Sequence, residues 1–176
     1  MNPLISLKKV SFVVIAVAAL ILAGLNVTAD SGTNNFNASL DSYHEAPLSI
    51  ATTATGSFQA RLNPTGDQLT YELQYSGLEG GNTLFAHVHI GQPGTTGGVM
   101  FFLCGGGGKP ACPNSSATVT GTVTASDIIG PNGQGVAPGE FFEAIRAMRA
   151  GSAYANVHTT TYSSGEIRGQ INAEQF

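Results

Sequence analysis

The chain has 176 residues, a formal net charge of -4, only 10% charged residues, 23 glycines and no tryptophan. An acidic, lysine-poor surface repels phosphate, which argues against nucleic acid and anionic membranes as partners. Low charge combined with abundant Gly, Thr and Ser fits an exported all-β protein better than a helical cytosolic enzyme.

Lys8 and Lys9 precede an apolar run from Val10 to Leu25, and Val27-Thr28-Ala29 follows it. These are the positive region, apolar region and small-residue cleavage site of a secretory signal peptide. The run is about sixteen residues, short of the roughly 20 that a membrane-spanning helix needs. Residues 1–29 are therefore read as a signal peptide, with an uncleaved anchor as the only expected attachment to a membrane. Cleavage would remove Lys8 and Lys9 and leave the exported part more acidic by two charges. Residues 30–38 are polar and rich in Gly and Asn, which reads as a flexible tether. Residues 39–176 are long enough to bury one continuous core, so a single domain is expected there.

Beyond the tether, short alternating runs separated by turn residues predict antiparallel strands with one buried face. Phe58, Ala60 and Leu62 alternate with Ser57, Gln59 and Arg61, and Asn63-Pro64-Thr65-Gly66-Asp67 turns the chain. Leu69, Tyr71, Leu73 and Tyr75 then alternate with Thr70, Glu72, Gln74 and Ser76. In the next run Leu84, Ala86, Val88 and Ile90 share one side, and that parity places His87 and His89 together on the other. Val99 to Leu103 is continuously apolar, which predicts a strand buried on both faces.

Cys104 and Cys112 are the two cysteines, and they flank a glycine-rich turn. In an oxidising compartment such a pair most simply closes a disulfide. A metal or redox pair is the weaker reading, because no neighbouring His completes a ligand set. Gly105 to Gly108 lack the Lys-Ser/Thr context of a phosphate loop.

Thr118, Thr120, Thr122 and Thr124 alternate with Val119, Gly121 and Val123 as a further strand. Residues 138–150 break the pattern: Phe141, Ile145 and Met148 recur at helical spacing between Pro138 and Gly151, which predicts one short helix. On that helix Glu140 and Glu143 are three residues apart, and Arg146, three residues further on, is their expected ion-pair partner. Ala153, Ala155 and Val157 then alternate with Tyr154, Asn156 and His158. After the turn at Ser163-Ser164-Gly165, Ile167 and Ile171 face inward, with Glu166, Arg168 and Gln170 outward. About seven strands at this spacing predict an antiparallel Greek-key β-sandwich or flattened barrel with one short helix.

Three segments, Ala86-His87-Val88-His89-Ile90-Gly91, Tyr154-Ala155-Asn156-Val157-His158-Thr159 and Gly165-Glu166-Ile167-Arg168-Gly169-Gln170-Ile171, resemble the signature blocks of CHRD domains. They occur in the expected order, behind a Gly56-Ser57-Phe58 block and the strand from Leu69 to Leu78. The resemblance covers Ser39 to Asn172. It implies an extracellular module, which in chordin belongs to a growth-factor antagonist and in bacteria is usually a standalone exported protein. The cysteine-rich modules that accompany the domain in chordin are absent from this sequence. More locally, His87 and His89, the later His158 and the block containing Arg168 are similar in order to the copper half of Cu/Zn superoxide dismutases. No His lies between His89 and His158, so the bridging imidazole of those enzymes has no counterpart.

Two readings of the histidines stand. His-x-His on a strand places two imidazoles roughly 6.5 to 7 Å apart at their backbones on one face. With His158 from a paired strand they would form a three-nitrogen site suited to copper or, second, to zinc. His44 is a conceivable fourth ligand. In a dismutase-like site Arg168 would be the cation that draws in an anionic substrate. Alternatively His87, His89, Asn156, Thr159, Glu166 and Arg168 form a hydrogen-bonded network that fixes the strands. The sequence thus leads to an exported, non-enzymatic binding or structural module for an extracellular protein or surface component. The alternative is a copper or zinc protein.

Overall fold

The computed structural model describes residues 33–174, so the expected signal peptide and the first residues of the expected tether lie outside the described residues. Alternation of apolar and polar side chains generates nine strands among the described residues: β1 (Asn35–Asp41), β2 (Thr55–Leu62), β3 (Leu69–Ser76), β4 (Thr83–Ile90), β5 (Val99–Cys104), β6 (Ala117–Val123), β7 (Ala153–Thr159), β8 (Ile167–Gln170) and β9 (Asn172–Ala173). The helix α1 (Phe141–Arg149) interrupts them between β6 and β7.

All strand pairs are antiparallel, in the order β5-β4-β7-β8-β1-β2-β3-β6, with β9 added beside β1. The two ends of that order meet. The Tyr71 hydroxyl on β3 donates to the Leu103 carbonyl on β5 at 2.7 Å. Lys109, in the connection from β5 to β6, donates to the Thr122 carbonyl and pairs with Asp127 at 2.7 Å. The result is the expected all-β class, as a nearly closed flattened barrel.

Two strands exceed the seven legible in the sequence. β1 occupies residues assigned to the tether, because Phe36, Ala38 and Leu40 alternate with polar neighbours and bury themselves in the core. The folded part therefore begins by Asn35 rather than at Ser39. β9 is two residues long, too short for a periodicity to register, and exists because it pairs with Phe36 and Asn37.

Phe58, Leu69, Leu73, Phe101, Val157 and Ile167 are fully buried inside the barrel. The helix adds Phe141, Ala144, Ile145 and Met148 from one face. It starts three residues later than the spacing suggests, with Glu140 as its N-cap residue. The Glu140 carboxylate accepts from the Ala137 amide, and only Glu143 of the expected pair bonds Arg146, at 2.9 Å. Buried β5 matches its continuous apolar run, since Met100 and Phe101 are adjacent and both fully enclosed. At Gly169 a Cβ would lie 2.2 Å from the Ser39 carbonyl oxygen, so a side chain there would push β8 away from β1.

The outer face of β7 and β8 departs from expectation. Every residue of β7 is buried, and so are Glu166 and Arg168. Parity does point these polar side chains out of the barrel, but connecting segments fold over them. Gln170 donates to the carbonyls of Gly91 and Gly151, and Arg168 to those of Gln92 and Thr95. A buried donor needs an acceptor, and the loop carbonyls supply it.

Candidate metal centre

The antiparallel register of β4 and β7 sets His87 opposite Asn156, His89 opposite Tyr154, and Phe85 opposite His158. Phe85, His87 and His89 share the outward parity of β4, and His158 shares that of β7. The three imidazoles consequently converge. Ring centroids are 4.4 Å apart for His87 and His89, 4.4 Å for His87 and His158, and 6.4 Å for His89 and His158. One nitrogen from each ring lies within 4.8 Å of the other two, and all three residues are buried.

Backbone carbonyls orient two of the rings. Nδ1 of His89 lies 2.8 Å from the Gly97 carbonyl, and Nδ1 of His158 lies 3.0 Å from the Ser163 carbonyl. A carbonyl only accepts, so both Nδ1 atoms carry the hydrogen and both Nε2 atoms present lone pairs. Those two Nε2 atoms, and Nδ1 of His87, are buried without a hydrogen-bond partner among the described residues. Metal-bound imidazoles are commonly held in this way by their second nitrogen. Histidine nitrogens bind zinc at about 2.0–2.1 Å, so about an ångström of ring movement would bring the three donors onto one ion.

Burial and the two neighbouring imidazoles press His87 down to about 2. Burial lowers His89 to about 4, against the Gly97 carbonyl and with help from the Arg168 charge. His158 also falls to about 4, through burial and the proximity of His89, partly offset by the Ser163 carbonyl. All three are therefore neutral near pH 7, the form that ligates a metal.

Aromatic rings wall the cluster. Phe85 stacks on His87 at 5.3 Å and lies 4.7 Å from His158, while Phe102 meets His87 edge-on at 5.2 Å. Tyr154 lies parallel to His89, with ring centroids 4.6 Å apart and planes 6° apart. On the Tyr154 ring rests the Arg168 guanidinium, 3.5 Å from the centroid.

The expected polar network divides into separate parts, none of which includes a histidine side chain. Thr159 donates to Glu166 at 2.8 Å, and Glu166 also accepts from the amides of Glu79 and Gly80. Asn156 donates to Glu45 at 2.6 Å and to the Ile167 carbonyl at 3.0 Å. Arg168 binds the loop carbonyls and Tyr154 and is 3% exposed, so it is no open cation at a site mouth. His44 stands apart as well: it is exposed and bonds Asp41 at 2.8 Å.

Sequence reasoning missed Glu45, Tyr154, Phe85 and Phe102 as parts of this region. Parity would have placed Phe85 with His87 and His89. Nothing local marks Glu45, whose burial depends on a loop folding back over Asn156. The expected disulfide is present, with Cys104 and Cys112 bridged at a Cα separation of 5.1 Å. Gly105 makes the turn possible, because a Cβ there would lie 2.2 Å from the Leu84 carbonyl oxygen.

The family model for the CHRD domain matches residues 36–171. No curated protein matches the chain.

Proposed function

We propose that this chain, which belongs to the CHRD domain family, is an exported module that holds one transition-metal ion, copper or zinc, on His87, His89 and His158. One observation carries the reading: each of three buried histidines brings a ring nitrogen within 4.8 Å of the other two, each has a buried ring nitrogen without a hydrogen-bond partner among the described residues, and backbone carbonyls orient two of the rings. A buried polar atom left unsatisfied costs about 1–3 kcal/mol, so these nitrogens call for a partner, and a single metal ion could serve all three rings. The sequence favoured a hydrogen-bonded network, and the separation of that network from the histidines shifts the balance toward metal. The N-terminal signal pattern and the Cys104–Cys112 disulfide support export. A dismutase-like reaction has weaker support, since Arg168 is enclosed and bonded.

Copper and zinc titration of the purified protein tests the reading. Stoichiometric binding tighter than about micromolar is expected, and a His87→Ala/His89→Ala variant is expected to lose it. A wild-type protein that binds neither metal, with the double variant merely less stable, would return the histidines to the scaffold and the search to macromolecular partners. N-terminal sequencing of the exported protein should find Asp30 first.

A further inference from the structure

Building on the three-histidine site, we infer that it is made for monovalent copper, Cu(I), in preference to divalent zinc or Cu(II). Three features of the surroundings point the same way.

The donors are all neutral. Among the described residues no carboxylate or thiolate joins the three imidazoles, so the complex would keep the full charge of its ion. The nearby buried acids are engaged elsewhere, Glu45 with Asn156 and Glu166 with Thr159 and two backbone amides.

The surroundings are also largely apolar and enclosed. His87, His89 and His158 are 4%, 8% and 5% exposed, and Phe85, Phe102 and Tyr154 line them. The cost of moving an ion from water into a low-dielectric site scales with the square of its charge, so a divalent ion pays about four times the Born cost of a monovalent one of equal size. Zinc further needs a fourth ligand, whereas a monovalent d10 ion is content with three.

A fixed positive charge lies just behind one ligand. The Arg168 guanidinium covers the far face of the ring that stacks on His89. Its repulsion grows in proportion to the charge of the bound ion. Arg168 touches no donor nitrogen, so it is a positioning residue acting through Tyr154.

The test is an anaerobic competition on the purified protein, with a chromophoric Cu(I) chelator in one arm and a chromophoric Zn(II) chelator in the other. Expected is one Cu(I) per chain, bound tighter than Zn(II) by about 100-fold or more, with both lost in His87→Ala/His89→Ala. Zinc bound as tightly as Cu(I) overturns this inference while leaving the metal site standing. Failure of both ions to bind removes the site itself and the inference with it. An Arg168→Gln variant, which retains amide donors for the loop, should lower the midpoint potential of bound copper. A tenfold shift in the preference for Cu(I) over Cu(II) reads as about 59 mV for one electron. On the unaltered protein the competition decides the preference over zinc and the copper midpoint potential that over Cu(II), whether or not the variant folds.

Discussion

Glu45 lies in the connection between β1 and β2, 8% exposed, beneath the loop that carries it back over β7. Burial pushes its carboxyl up to about 7, against the Asn156 hydrogen bond and the charge of Arg168, which both lower it. The folded protein thus holds a proton there that the unfolded chain gives up near 4.5. Stability from this group is complete below about 4.5 and falls as pH rises toward 7, because the folded state binds the extra proton across that window. Glu45→Gln cannot ionise and still accepts from Asn156. Relative to that variant, the native protein should lose up to about 3 kcal/mol between pH 4.5 and 7 and then level off. Urea melts of both proteins across this range check the sign, and parallel pH profiles would show that Glu45 is not enclosed. His87 and His89 were legible at this scale because alternation along one strand is local. Glu45 was not, since its neighbours come from β7 and β8.

At the scale of elements, β1 and the disulfide loop make opposite demands on the chain. β1 pairs with β2 along its whole length and with β9 through Phe36 and Asn37, so it joins both ends of the described sequence. A chain starting at Thr33 should melt as the native protein does. One starting at Ser39 loses the buried Phe36 and Ala38 and should be destabilised by about 3–5 kcal/mol, in the range of a Phe→Ala core substitution. Equal melting of the two would place the first half of β1 outside the cooperative unit. The disulfide closes a loop with a sequence separation of 8, so it removes little unfolded-state entropy. Cys104→Ala/Cys112→Ala should cost roughly 2–3 kcal/mol in a denaturant melt. It should leave the sheet formed, because Tyr71 still ties β3 to β5 and Lys109 still ties the β5–β6 connection to β6. The helix and seven of the strands could be read from periodicity. β1 escaped because Asn and Ser between its apolar residues resemble a linker, and β9 because two residues carry no period.

For the molecule as a whole, the sequence determined the all-β class, the single helix, the local disulfide and the presence of two histidines on one strand face. All of these follow from residue type and from a side-chain period of two, which neighbours along the chain express by themselves. Only the tertiary structure decided that β7 lies beside β4 in the register that brings His158 to His87 and His89. It also decided that the loops around Gly97 and Ser163 aim two of the rings. The same folding covers the outward face of β7 and β8, turning residues with solvent-facing parity into buried ones. Strand neighbours far apart in sequence are chosen by the packing of the entire barrel, and a loop folds over a face only when that face offers partners for its carbonyls. Those choices are non-local, and they make a buried three-histidine cluster from residues that the sequence could only place on strands.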